Sequence, residues 1–137
     1  RIQVRIRLSE NSNIKAYQSL LSILAKNHIS LDLINIFPAH QFFTVDKSEK
    51  ENVSSILDLV GIKYSIIEEC STIAIVGAGM TGVPGIMARI INVLQNNNIE
   101  VLQTADSNMT IWCLIYTKDI EIAINLLHEE FGLSKVH

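Results

Sequence analysis

The sequence predicts an α+β fold of two βαββαβ units, each an antiparallel sheet with helices on one face, the second a strand short within these 137 residues. Three observations predict it. Period-2 alternation and period-3.6 apolar spacing succeed one another in the order strand, helix, strand, strand, helix, strand. Two neighbouring apolar runs are joined by so few residues that an antiparallel hairpin is the natural connection. Shifting the sequence by 70 lays its second half on its first: Leu20 on Ile90, Leu24 on Leu94, Asn27 on Asn97, Phe42 on Trp112 and Leu57 on Leu127. Two copies make a duplication rather than a solenoid, and the units divide as residues 1–70 and 71–137.

Ile2, Val4, Ile6 and Leu8 alternate with Arg1, Gln3, Arg5 and Arg7, a half-buried strand with its arginine face in solvent. Ile14, Tyr17, Leu20, Leu21 and Leu24 recur at helical spacing. The apolar runs 29–37 and 42–45, on either side of Pro38-Ala39-His40, form the hairpin. Ser48-Glu49-Lys50-Glu51 reads as a capping box, Val53, Ile56, Leu57 and Val60 continue that helix, and Gly61 ends it. Residues 62–67 complete the first sheet. In the second half, strands over 72–77, 99–105 and 110–116 and a helix over about 119–131 leave only Leu133 and Val136 as apolar side chains in the tail. A bare sheet edge invites pairing, so the fourth strand of that sheet is expected from upstream residues or another chain. The opening Arg1-Ile2-Gln3-Val4, strand-like and without an initiator Met, raises the same expectation of a longer parent protein.

Hydrophobic residues at 48% and charged residues at 18% suffice for a core and exclude intrinsic disorder. A net charge of -3 offers no general attraction to phosphate, so no nucleic-acid partner is expected. No apolar run suits a membrane span and no signal peptide is present, which predicts no membrane partner and a cytoplasmic location. The unclustered Cys70 and Cys113 fit a reducing compartment. His28, His40, His128 and His137 share no metal-ligand spacing with each other or with the cysteines, and no Ser-His-acid set is visible. Neither catalytic nor metal-binding residues are expected. Trp112, which aligns with Phe42 under the repeat, is expected in the core, Asp106 in a hairpin turn, and Glu129 and Glu130 on a solvated helix face.

Gly77-Ala78-Gly79-Met80-Thr81-Gly82 is a literal G-x-G-x-x-G between an apolar strand and an amphipathic helix, the context of a dinucleotide-binding loop. Against a nicotinamide site, the strand after the helix runs straight into a hairpin where a βαβαβ unit needs a helical crossover. Its only acidic candidate is Asp106. The other reading is a helix N-terminus, with Pro84 in its first turn, whose exposed amides receive the carboxylate of a small zwitterion. A tight turn with no ligand is the plainer alternative.

Val76-Gly77-Ala78-Gly79-Met80 followed by Gly82-Val83-Pro84-Gly85 resembles the start of the second ACT domain of aspartokinases. Leu102-Gln103-Thr104-Ala105-Asp106-Ser107 and Thr110-Ile111-Trp112 are similar to its later strands, and Leu127-His128-Glu129-Glu130-Phe131 to its closing helix. Ile29-Ser30-Leu31-Asp32-Leu33-Ile34-Asn35 is similar to the matching strand of the first ACT domain. The resemblance, specific in the second half and looser in the first, is to the regulatory part of Gram-positive aspartokinases. It implies ferredoxin-like ACT units that bind lysine, threonine or meso-diaminopimelate, form a homodimer, and mediate feedback inhibition of an upstream kinase domain. That domain would use ATP and Mg to phosphorylate aspartate; this region would need no cofactor.

Carried onto this chain, the resemblance makes Asp32 the partner of an effector ammonium, with Asn35 nearby. Met80, Thr81, Gly82, Val83, Pro84 and Gly85 form the backbone loop, and Gln103 is a polar contact on the second-unit strand. The first loop, Ser9-Glu10-Asn11-Ser12-Asn13-Ile14-Lys15, lacks the Pro-Gly of the second. An oligomerisation module without ligand is therefore the alternative.

Overall fold

Apolar alternation becomes the centre of an antiparallel sheet in each half of the chain. The structure, a computed structural model, describes residues 1–76, 85–107 and 110–131 and divides into two compact units, Arg1–Glu68 and Glu69–His137. The first unit runs β1 (Ile2–Arg7), α1 (Ile14–Gln18), α2 (Leu20–Lys26), β2 (Ile34–Ile36), β3 (His40–Val45), α3 (Lys50–Leu59) and β4 (Ser65–Ile67). Its sheet has the order β2-β3-β1-β4, antiparallel throughout, with Val4 opposite Phe43 and Ile6 opposite Gln41. One face carries Ile2, Val4, Ile6, Phe43 and Val45, which pack with Leu20, Leu24, Val53 and Leu57 of the helices. This is the ferredoxin-like arrangement.

The second unit runs β5 (Cys70–Val76), α4 (Ile86–Asn96), β6 (Gln103–Ser107), β7 (Thr110–Tyr116) and α5 (Ile120–Phe131). Its sheet has the order β5-β7-β6, again antiparallel. Ile73, Ile75, Ile111, Cys113 and Ile115 meet Ile90, Leu94, Ala123 and Leu127 in the core. Among the described residues this sheet ends at β5, and the tail 132–137 lies outside them. Because β6 pairs directly with β7, the parallel doubly wound sheet of a dinucleotide-binding fold is absent from the described residues.

The elements differ from expectation where tertiary partners intervene. The single first helix is two, interrupted at Ser19. Helix α3 starts through a 3-10 turn at Lys47–Glu49, so the capping oxygen comes from Asp46, which accepts the Ser48 N–H at 2.9 Å, and not from Ser48. Gln3, expected in solvent among the arginines, is fully buried and accepts a 2.8 Å bond from Arg5 Nε. Trp112 is only half-buried, and its strand neighbours Ile111 and Cys113, not the indole, belong to the helix-side core. Asp106 lies within β6, opposite Ile111. No helix among the described residues is long and apolar enough to cross a membrane.

The repeat extends to single hydrogen bonds. Asn27 Nδ2 donates to Ile23 O at 2.8 Å, and Asn97 Nδ2 to Val93 O at 2.8 Å. Each helix then ends on a left-handed residue, His28 or Asn98, both with φ of 60°. The following amide reaches back to the helix: Ile29 N–H to Leu24 O at 3.1 Å, Ile99 N–H to Leu94 O at 3.0 Å. Helix α3 ends likewise at Gly61, φ +74°, with Ile62 N–H on Leu57 O at 2.9 Å. A Cβ on Gly61 meets nothing within 4 Å, so the cost of alanine there is backbone conformation alone. Gly61→Ala is expected to lose about 1–2 kcal/mol in urea denaturation; an unchanged midpoint contradicts this.

Candidate functional site

Asp32 owes its position to a bulge where β2 begins. Asp32 N–H donates to Thr44 O at 2.9 Å, while Leu33 O accepts from Thr44 N–H at 3.0 Å and Leu33 N–H donates to Thr44 Oγ1 at 2.9 Å. Two residues thus oppose one, which bends the strand and re-aims the extra side chain. The second unit repeats this: Leu102 N–H donates to Leu114 O at 2.8 Å, with Gln103 opposite Leu114. Under the shift of 70, Asp32 corresponds to Leu102 and Gln103 to Leu33, so the two candidates occupy adjacent positions of the motif and not the same one.

Around Asp32 lies a cavity of about 320 Å³, lined among others by Arg1, His28, Ser30, Asp46 and Glu49. Arg1 Nε stands 3.0 Å from Asp32 Oδ2, and its Nη1 3.9 Å from Asp46 Oδ2. Three carboxylates face one guanidinium, which favours a cationic visitor. The Ser48 backbone N–H, then the Ser48 side chain, hold the Asp46 carboxyl below its usual range, and the Arg1 charge adds to this. A carboxyl with a lowered folded pKa adds stability above its unfolded pKa and loses it as pH falls through the folded one. Asp46→Asn is therefore expected to be less stable than the parent at pH 6 and to converge with it under strongly acid conditions. Denaturation curves across that range check this; a constant gap contradicts it.

Asn35 sits on β2 opposite Phe42, and so on the sheet face away from the helices. The first strand–helix loop is built with asparagines in place of glycines. Asn11 Nδ2 donates to Arg7 O at 2.7 Å and to Lys63 O at 3.2 Å, while its Oδ1 accepts the Lys63 N–H at 2.7 Å. Asn13 Oδ1 accepts the Ala16 N–H at 3.1 Å and caps α1.

In the second unit, Gly85 is the N-cap of α4 at φ +80°, its carbonyl accepting the Arg89 N–H at 3.0 Å. Met80, Thr81, Gly82, Val83 and Pro84 lie outside the described residues. Gln103 is buried, 5% exposed, at the first residue of β6. Val76, at the end of β5 that leads to the loop, is level with Ser107 through their shared partner Thr110. Gln103 is therefore about 13 Å down the strand from the loop end of its own sheet. The first unit has the same geometry: Asp32 precedes β2, whereas Arg7, at the loop end of β1, pairs with His40 at the far end of β3. In the first unit the loop end of β1 and Asp32 therefore lie at opposite ends of the sheet. Among the described residues no three His, Cys, Asp or Glu side chains are placed to hold a metal ion.

Residues 65–129 match the ACT domain family. Aspartokinase 1 of Bacillus subtilis is 39% identical over 112 residues, 82% of this chain and 28% of that protein. The aspartokinase of Geobacillus stearothermophilus is 27% identical over 128 residues, 89% of this chain and 31% of that protein. The chain thus spans between a quarter and a third of the length of these curated relatives. Among solved structures, aspartokinase alpha and beta subunits superpose with a TM-score of 0.81 at 25% identity, over 96% of this chain and 93% of that one. The ligand-free regulatory subunit of aspartate kinase from Thermus thermophilus shares the fold, with a TM-score of 0.81 at 20% identity, over 96% and 92%.

Proposed function

Because residues 65–129 match the ACT-domain family and the chain is related in sequence to aspartokinases, we propose that it is the effector-binding regulatory region of such an enzyme. In this reading it dimerises through its ACT units and binds lysine, threonine or meso-diaminopimelate. It then transmits feedback inhibition to an upstream kinase domain that phosphorylates aspartate with ATP and Mg. The observation that carries the reading is the 39% identity to an aspartokinase over 82% of this chain, confined to 28% of that protein.

The effector carboxylate would lie on the backbone from Met80 to Gly85 and its ammonium on Asp32, displacing Arg1, with Asn35 and Gln103 as polar neighbours. In the first unit the loop end of β1 and Asp32 stand at opposite ends of the sheet, so such a ligand would draw its loop and its acidic partner from different units or different chains. It acts by favouring one ACT–ACT arrangement through differential affinity. A strand from upstream or from a partner would complete the second sheet at β5. The asparagine-built first loop favours a second reading, an assembly module without ligand. Titration calorimetry of the dimer with the three amino acids separates the two: saturable heat from one of them is expected, and none from any refutes effector binding.

A further inference from the structure

The two units offer an internal comparison, because each residue of one has a counterpart 70 positions on. In the second unit the leading helix α4 is continuous over eleven residues. Arg89 in its second turn reaches the end of α5: its Nη2 lies 3.0 Å from Glu130 Oε1 and 3.5 Å from Glu130 O, and its guanidinium sits 4.5 Å from the Phe131 ring centroid. A cation on a helix C-terminal carbonyl also complements the helix dipole.

In the first unit the counterparts of Arg89, Glu130 and Phe131 are Ser19, Val60 and Gly61. The arginine clamp is missing, and in its place Asn13 Nδ2 at the cap of α1 donates a single 3.4 Å bond to Val60 O; the helix is interrupted at Ser19, φ -97° and ψ 9°. A cavity of about 390 Å³ opens beside it, lined by Asn13, Lys15, Ala16, Ser19, Ile23 and Val60. Beneath the break, Gln41 Nε2 donates to Tyr17 O at 3.1 Å; the second unit has Ile111 in that place. Tyr17 and Gln41 are 4% and 6% exposed, yet Tyr17 Oη and Gln41 Oε1 find no hydrogen-bond partner among the described residues. Buried polar atoms left unpaired destabilise the arrangement that buries them. Opening, which returns them to water, recovers that loss.

We propose that α1 is a hinged turn, latched by the Gln41 amide and swinging about Ser19, so that the first unit carries a movable leading helix where the second is locked by Arg89. The device depends on neither the effector nor its site.

Amide hydrogen exchange by NMR on the intact chain tests it, since Ser19 N–H on Lys15 O at 3.1 Å and Arg89 N–H on Gly85 O at 3.0 Å are equivalent bonds. The Ser19 amide is expected to be about tenfold or more less protected than that of Arg89. Tyr17→Phe, which removes one unpaired atom, should raise protection at Ser19 by about fivefold. Gln41→Ile, which removes the latch, should lower it at Tyr17 and Ser19 while leaving Leu24 and Arg89 unchanged. Equal protection of Ser19 and Arg89 in the parent chain overturns the proposal. So does a uniform change across all first-unit amides in the Tyr17→Phe variant, which is expected to fold whatever the fate of Gln41→Ile.

Discussion

Truncating Phe43 to alanine is expected to cost about 3–5 kcal/mol, the range for removing a buried aromatic ring. Phe43 is 1% exposed and stands between Val4 and Ile34 in the sheet, in the core cluster with Leu20, Leu24, Val53 and Leu57. The core cluster that holds it is built mainly from strands and helices of the first unit, so collapse into the cavity is limited. Against a typical total of about 5–15 kcal/mol, one residue then holds a large fraction of the stability. The counterpart 70 residues on is Cys113, whose thiol burial pushes up to about 12. Cys113→Ala removes one sulfur and is expected to cost far less. Urea denaturation of both variants measures the contrast, and similar losses contradict it.

The second large effect concerns Asp32. Asp32→Asn keeps the shape of the side chain and removes its charge. If the carboxylate holds the effector ammonium, affinity is expected to fall about tenfold or more, since a hydrogen bond to a charged group is worth about 1.5–3 kcal/mol. Asp46→Asn is the control: Asp46 shares the cavity, but its carboxylate is taken up in capping the turn before α3, so a smaller effect is expected. Titration calorimetry compares the two. An affinity unchanged in Asp32→Asn places the ammonium elsewhere.

The fold was legible in the sequence because periodicity and punctuation agree across both repeats. The core positions Ile2, Val4, Ile6, Leu20, Leu24 and Leu57 follow from spacing alone, and Gly61 ends α3 where its left-handed conformation requires. The break at Ser19 was not legible, since the apolar positions on either side keep a single helical period through it. Nor was the bulge at Asp32, which is a two-against-one count between strands and leaves no local mark.

The candidate site was legible only in part. Asp32 came from resemblance to a family, and the glycine loop already from its G-x-G-x-x-G spacing before a helix. Arg1 and Asp46, which surround Asp32, did not, because sheet register brings them there: Ile2 pairs with Val45, and that sets Arg1 beside Asp46. Asn11 is of the same kind, holding Lys63 across 52 residues. Asp46 carried a faint signal, an aspartate two residues before a serine at a helix start, which the apparent capping box at Ser48 obscured.

In the proposed reading this chain recognises an aspartate-derived amino acid. The most direct measurement is its thermal stability with and without lysine, threonine and meso-diaminopimelate. A ligand that binds only the folded form, at about 100 times its Kd, adds roughly 2.7 kcal/mol and raises Tm accordingly. The expected result is such a rise for one of the three, much reduced in Asp32→Asn. An unmoved Tm with all three at millimolar concentration contradicts effector binding and leaves the fold standing.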